Sequence, residues 1–304
     1  MELRTLHYFL TVAREQSISA AAESLHISQP ALSTQLKGME ELGKQLLIRG
    51  TKGSRKVVLT EEGMILRRRA EEILSLVQKA EEEITRSDET IVGDVVIGAG
   101  ETDSVRLLAQ AARGLQKQYP DIHYHISSGN AEYVLEYLDK GLIDFGLLFR
   151  EPDPKKYEWL TLSRADVWGV LMRRDAPLAQ KVAVRSEDLW ELPLITSHQK
   201  GDDHHLAQWM GREIAELNVV ATYNLVFNAS LLVDEGLGYA LCLDKLIHTK
   251  GTSLCFRPFS PPLEAPCHIA WKKYQIFSKA AGRFLQAVRE RISDETNVRP
   301  KYET

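Results

Sequence analysis

Between Ser28 and Lys37 the chain gathers hydroxyls, an amide and a lysine at helical spacing. Gln29, Ser33 and Lys37 are four apart, with Pro30, Ala31 and Thr34 beside them. A helix presenting such groups near its N-terminus can enter a major groove, because glutamine pairs with adenine edges and serine or threonine contacts bases or phosphates. A solvated face with no partner would use the same residue types. The next basic residues decide between these readings. Arg49, Lys52, Arg55 and Lys56 are interleaved with Gly50 and Gly53, between an apolar pair and the alternating Val57-Val58-Leu59. That pattern reads as a β-hairpin wing with a basic tip, suited to lie along a phosphate backbone.

A second group of chemistry-bearing residues sits where apolar strands end: Gly100-Glu101-Thr102-Asp103, Ser127-Ser128-Gly129 and Phe149-Arg150. Ligands of open α/β sheets bind beyond the carboxyl ends of the strands.

The elements that must position these groups are legible. Leu3, Leu6, Leu10 and Ala13, with Phe9 beside them, give the apolar face of a first helix. Ser17 caps a second, small-faced helix through Leu25, and His26-Ile27 makes the turn. Ser28 caps a third helix with Pro30 in its first turn, where a missing N–H costs nothing. Leu32, Leu36 and Met39 point inward from it. Thr60 caps a long helix whose first turn holds Glu61 and Glu62, favourable against the positive end of the helix dipole. Leu66, Ala70, Ile73, Val77, Ala80 and Ile84 are spaced 4, 3, 4, 3, 4, a coiled-coil seam. A helix packed on its own domain is the alternative. RSDET at 86–90 reads as a hinge.

From GDVVIGAG onward the pattern is strand, helix (Val105–Gln118), strand (Ile122–Ser127), helix (Ala131–Lys140), strand (Leu142–Phe149), which predicts a parallel sheet with right-handed crossovers. In the second strand Ile122, Tyr124 and Ile126 should face inward. After the loop EPDPKK a second series runs through Trp168–Met172, Leu194–Thr196, a helix near His205–Ala215, Val219–Leu225, a helix near Ala229–Glu235, and GLGYALCL. His268–Trp271 reads as a strand returning to the first lobe, and Ser278–Arg291 as its closing helix.

On LRTLHYFLTVARE, SISAAAESLHISQPALSTQL, ELG, LLIRG and LTEEG, residues 1–60 resemble the winged helix-turn-helix of LysR-type transcriptional regulators, and the two α/β lobes resemble that family's effector domain, itself similar to periplasmic binding proteins. The sequence departs from the family pattern in a shorter 33–43 segment, a longer 49–60 stretch, and Thr34 where the family often has arginine, which shifts contact toward Lys37.

The resemblance implies three domains. They are a winged helix-turn-helix (1–60), a linker helix with hinge (61–90) that dimerises, and an effector domain (91–304) with one lobe about 91–162 and 268–304 and the other about 163–267. It implies DNA contacts from Ser28, Gln29, Pro30, Ala31, Ser33, Thr34, Lys37, Arg49, Lys52 and Arg55. It places Gly100, Glu101, Thr102, Asp103, Ser128, Phe149, Thr196, Ser197 and Asn228 around an inter-lobe cleft. Hydroxyls and N–H groups there suit a small carboxylate or other polar ligand against a Phe149 wall. Glu101 and Asp103 favour a ligand with a donor or positive charge, and Asp103 has the alternative of capping the helix that starts near Ser104. The partners implied are promoter DNA bearing an interrupted inverted repeat, a small-molecule effector and further copies of the chain, as a dimer-based homotetramer. RNA polymerase is a candidate partner, and no cofactor or metal is expected.

Composition agrees once it is divided. The 304 residues carry 38 Lys and Arg against 42 Asp and Glu, a net −4 that by itself argues against a polyanion partner. Residues 1–60, however, hold eight basic side chains against five acidic ones, leaving the remainder at −7. Apolar stretches are strand-sized, and the N-terminus lacks the apolar region of a signal peptide, so a cytoplasmic protein that crosses no membrane is expected. Cys242, Cys255 and Cys267 lack metal spacing, with a redox pair of Cys255 and Cys267 as the minor alternative. Gly98-Ala99-Gly100 is an incomplete dinucleotide fingerprint, and Gly201-Asp202-Asp203-His204-His205 is better read as a loop than as a metal site. No GxSxG, HExxH or Walker motif is present, which argues against an enzyme. The alternative to a regulator is a cytoplasmic small-molecule-binding protein of the periplasmic type.

Overall fold

The computed structural model describes residues 2–40, 44–49, 56–85, 91–197 and 203–298. It divides into two compact units, Met1–Asp88 and Glu89–Thr304.

In the first unit α1 (Leu3–Glu15), α2 (Ile18–Ser24) and α3 (Gln29–Glu40) precede a hairpin of β1 (Leu47–Arg49) and β2 (Val57–Leu59), in which Leu47 faces Leu59, and then α4 (Glu61–Thr85). The face of α1 that meets the core carries Thr5, Leu6, Phe9 and Val12; Leu3, expected inside, is 45% exposed at the helix start. Thr11 is also buried, and its hydroxyl donates to the His7 carbonyl. The Ser17 hydroxyl accepts from Ala20 N–H, capping α2 as expected. His26 turns the chain in the left-handed region at φ 54°.

Thr60 joins the hairpin to α4. Its hydroxyl accepts from Gly63 N–H at 3.0 Å and donates to the Gln45 carbonyl at 2.8 Å. Glycine is required at 63, because a Cβ there would lie 2.2 Å from the Leu46 carbonyl oxygen. The seam read along α4 divides in two. Ala70 is wholly buried and Leu66 and Leu74 pack into the same core, so this part of the helix serves its own domain. Ile65, Ile73, Leu76 and Ile84 are exposed and fall on one arc of the helix.

The second unit contains two sheets. The first is built from β3 (Gly93–Ala99), β4 (Ile122–Ser128), β5 (Phe145–Leu148) and β6 (Tyr157–Thr161), with α5 (Val105–Gln116) and α6 (Ala131–Asp139) as crossovers. The second holds β7 (Asp166–Arg173), β8 (Leu194–Ser197), β9 (Val219–Tyr223), β10 (Tyr239–Leu243), β11 (Leu254–Pro258) and the short β12 (Glu264–Ala265), with α7 (Asp203–Met210) and α8 (Val226–Asp234). The chain then returns through β13 (His268–Lys272) and α9 (Lys279–Val298) to the first sheet, whose order is β4-β3-β5-β13-β6. Strands β4, β3 and β5 are parallel, as the alternating βα pattern requires, and β13 is antiparallel to both neighbours. The second sheet runs β11-β7-β10-β8-β9 and is likewise mixed, β7 being antiparallel to β10 and β11.

Each sheet has its own core. In the first lobe Phe145, Trp271 and Phe284 are buried with the inner faces of α5 and α9; in the second, Val170, Met172, Leu194, Leu241 and Phe259 are buried together. Three strands escaped the sequence reading: β6, β11 and β12. The helix expected near 205–215 ends at Met210, beyond which Gly211 takes φ 67°. Ile126, expected inside, is 51% exposed on β4, the edge strand of its sheet.

Candidate DNA-binding and effector sites

Helix α3 is anchored by Leu32, Leu36 and Met39, all buried. Packing that stripe leaves Gln29, Pro30, Thr34 and Lys37 exposed and Ser33 half-buried on the opposite arc, with Ser28 and Ala31 exposed at the helix start. The Ser28 hydroxyl accepts from Ala31 N–H, and the Thr34 hydroxyl donates to the Pro30 carbonyl, so Thr34 offers a partner only its lone pairs. Gln35, which the sequence reading passed over, accepts from the buried Thr5 hydroxyl at 3.3 Å and so ties α3 to α1. Arg49 closes β1. Lys52 and Arg55, assigned to the wing tip, lie outside the described residues.

In the second unit, loops at the strand ends enclose two adjoining hollows. The larger, about 310 Å³, is lined by Gly100, Glu101, Ser128, Gly129, Asn130, Tyr133, Asn224 and Leu225. The smaller, about 40 Å³, lies between Gly100, Glu101 and Phe149 on one lobe and Trp168, Ser197, Tyr223, Asn224 and Val226 on the other. A Cβ at Gly129 would lie 2.1 Å from the Tyr133 ring, so any larger residue there displaces that ring. Asn130 caps α6 by accepting from Tyr133 N–H at 2.9 Å, and Tyr133 lines the hollow.

Five residues expected at the cleft are thus brought together: Gly100, Glu101, Ser128, Phe149 and Ser197. Four are not. Thr102 turns away and is buried, its hydroxyl donating to the Asp166 carboxylate and accepting from Ser104 N–H at 2.9 Å. Asp103 pairs with Arg106 at 3.0 Å and with Lys245 at 3.8 Å, and lines a separate cavity. Thr196 is buried within β8, and Asn228 is exposed on α8 away from both hollows. Asn224 and Tyr133 take their place. No periodicity marked these two, because one is in a turn and the other lies in the first turn of α6.

Glu101 does more than line the hollow. Its carboxylate accepts from Val226 N–H at 2.5 Å, so a side chain of the first lobe caps a helix of the second. The cap residue of α8, Leu225, has no side-chain acceptor of its own, and an anion at a helix N-terminus is favoured by the exposed N–H groups.

The three cysteines are free and buried. Burial pushes the Cys242 and Cys267 thiols up to about 12, far from a reactive thiolate. Among the described residues no group of histidine, cysteine and carboxylate side chains is placed to hold a metal, and no helix is long and apolar enough to cross a membrane.

A helix-turn-helix followed by a two-lobed α/β domain with a polar hollow at its strand ends defines a ligand-responsive DNA-binding regulator. Residues 3–64 match the bacterial regulatory helix-turn-helix of the lysR family, and residues 89–293 match the LysR substrate binding domain. The chain belongs to the LysR family, and it is a DNA-binding transcriptional regulator with an effector-binding domain. It is 27% identical over 303 residues to the Hca operon transcriptional activator HcaR of Escherichia coli K12, covering 97% of this chain and 100% of that one. To the uncharacterised HTH-type regulator YfeR of Shigella flexneri it is 26% identical over 291 residues, with 95% and 93% covered. Full-length CbnR, solved with its target DNA, superimposes with a TM-score of 0.74 at 20% identity, over 96% of this chain and 100% of that one. Its relatives are regulators rather than enzymes.

Proposed function

We propose that α3 is the helix that reads the major groove, with Gln29 and Ser33 against base edges and Lys37 on phosphate. The observation that carries this is the arc Gln29, Pro30, Ser33, Thr34 and Lys37, left outward while Leu32, Leu36 and Met39 are locked in the core. Arg49, Lys52 and Arg55 would track the neighbouring backbone. CbnR, of the same fold, was solved bound to its target DNA, which supports the reading. The exposed Ile65, Ile73, Leu76 and Ile84 arc of α4 supports pairing of two copies, placing two α3 helices on an inverted repeat in a dimer-based tetramer. A cytoplasmic protein without catalytic activity fits both units.

The effector is a small polar molecule held by Ser128, Ser197, Asn224 and the Glu101 carboxylate, with Phe149 and Tyr133 as walls. It switches the regulator only by binding one arrangement of lobes or subunits better than another. Gel shifts test the DNA half. Gln29→Ala and Ser33→Ala are expected to lower selectivity for the cognate site over a scrambled one by about five- to a hundredfold, from about 1–3 kcal/mol per base contact. Unchanged selectivity in both would remove α3 from the interface.

A further inference from the structure

A second cavity, of about 140 Å³, begins at Asp103 and Ser104, next in sequence to Thr102, and shares no lining residue with the effector hollows. Leu107 on α5 and Leu162 and Val167 at the crossing between lobes form its apolar wall. Its charges are unevenly matched. Three cations line it, and all are engaged: Arg106 and Lys245 with Asp103, and Arg164 with Glu295 at 3.3 Å. Two further carboxylates, Asp166 and Asp244, line it without an ion pair among the described residues. Asp244 accepts from Lys245 N–H.

Asp166 is the unusual one, only 7% exposed. Thr102 and Ser104 both donate to its Oδ2, and neither bond reaches Oδ1. Oδ1 is also not sealed from solvent, since the Tyr124 hydroxyl is the buried polar atom left without a partner among the described residues. A buried carboxylate with one bare oxygen beside a cavity lacks the donor that would offset its desolvation.

We propose that this cavity is a second ligand site, separate from the effector hollows, that takes a compact organic cation whose primary ammonium donates to Asp166 Oδ1. A cavity of about 150 Å³ accommodates benzene, so the ligand has about six non-hydrogen atoms beyond its ammonium. Its hydrocarbon part lies on Leu107, Leu162 and Val167. The carboxyl of Asp166 is raised above its ordinary range chiefly by burial, which an added positive charge would relieve. The walls come from both lobes: α5 and Glu295 on one side, Asp244 and Lys245 on the other. An occupant therefore fixes the lobes relative to each other.

The full chain is titrated with cyclohexylammonium chloride and, as the uncharged control, cyclohexanol, with calorimetry and the thermal midpoint as readouts. Cyclohexylammonium is expected to bind saturably and raise the midpoint, and cyclohexanol to bind about tenfold more weakly or not at all. Asp166→Asn, which keeps an acceptor for Thr102, is expected to weaken the amine about tenfold or more. Ala165→Leu, which fills space at the cavity wall and leaves Asp166 intact, should also weaken it. Both variants are first shown to melt cooperatively. Equal response to amine and alcohol, or amine binding unaltered in both folded variants, overturns the proposal. Neither result touches the reading of α3, which is tested on DNA, or that of the effector hollow, which shares no lining residue with this cavity.

Discussion

Replacing Thr102 by valine tests whether the contact between Thr102 and Asp166 holds the effector domain together. Valine keeps the shape and removes only the hydroxyl, which donates to the Asp166 carboxylate and accepts from Ser104 N–H. A hydrogen bond to a charged group is worth about 1.5–3 kcal/mol, and the stranded Ser104 N–H adds about 1 kcal/mol. A loss of about 3 kcal/mol follows. For a domain of this size each kcal/mol moves Tm by roughly 2–4 °C, giving a fall of roughly 9 °C. All five tryptophans, Trp159, Trp168, Trp190, Trp209 and Trp271, lie in the Glu89–Thr304 unit, so tryptophan fluorescence follows this domain alone. Thr102→Ser keeps the hydroxyl and loses a methyl group, costing about 1 kcal/mol. If the valine variant melts within about 2 °C of the unaltered protein, or no lower than the serine variant, the hydroxyl is not a structural tie and Thr102 returns to the list of effector contacts.

Two further outcomes are expected. Gly63→Ala forces a methyl group against the Leu46 carbonyl and should unseat α4 from the hairpin, lowering DNA affinity at least tenfold in a gel shift while the tryptophan-monitored melt of the other unit stays put. The carboxyl of Asp166 is raised above its ordinary 3.8, so between that value and its folded one the native state holds more protons than the unfolded chain, and stability falls as pH rises. Asp166→Asn abolishes this slope. Denaturant unfolding followed by tryptophan fluorescence should show the variant gaining on the unaltered protein as pH rises above about 4, and a constant difference would contradict burial as the cause.

What the sequence made legible follows from the range of the interactions. The caps at Ser17 and Thr60 are local, each a hydroxyl three residues before its amide, and they stand where the sequence places them. The βα alternation of the first lobe is periodic and was readable for the same reason. Thr102 was misplaced because its partner Asp166 lies 64 residues away, and no local pattern tells a hydroxyl facing a ligand from one facing a carboxylate. The strand β6, YEWLT, mixes charge with aromatic residues and gives no clean alternation; its place is set by pairing with β13 more than a hundred residues later. Likewise the heptad spacing along α4 was silent on which turns the domain's own core would claim. Leu66 and Ala70 were claimed, whereas Ile73 and Ile84 were not.

The bond from Val226 to Glu101 gives the effector hollow a resident competitor. Because Glu101 is part of the same chain, its carboxylate faces that amide at an effective concentration of the millimolar order or above, whatever the surroundings contain. A free carboxylate seeking the same N–H must outbid a tethered one, so ordinary organic acids are discounted at that point. A molecule that instead gives Glu101 a donor gains a partner without contest. The hollow is thereby selective before any effector arrives.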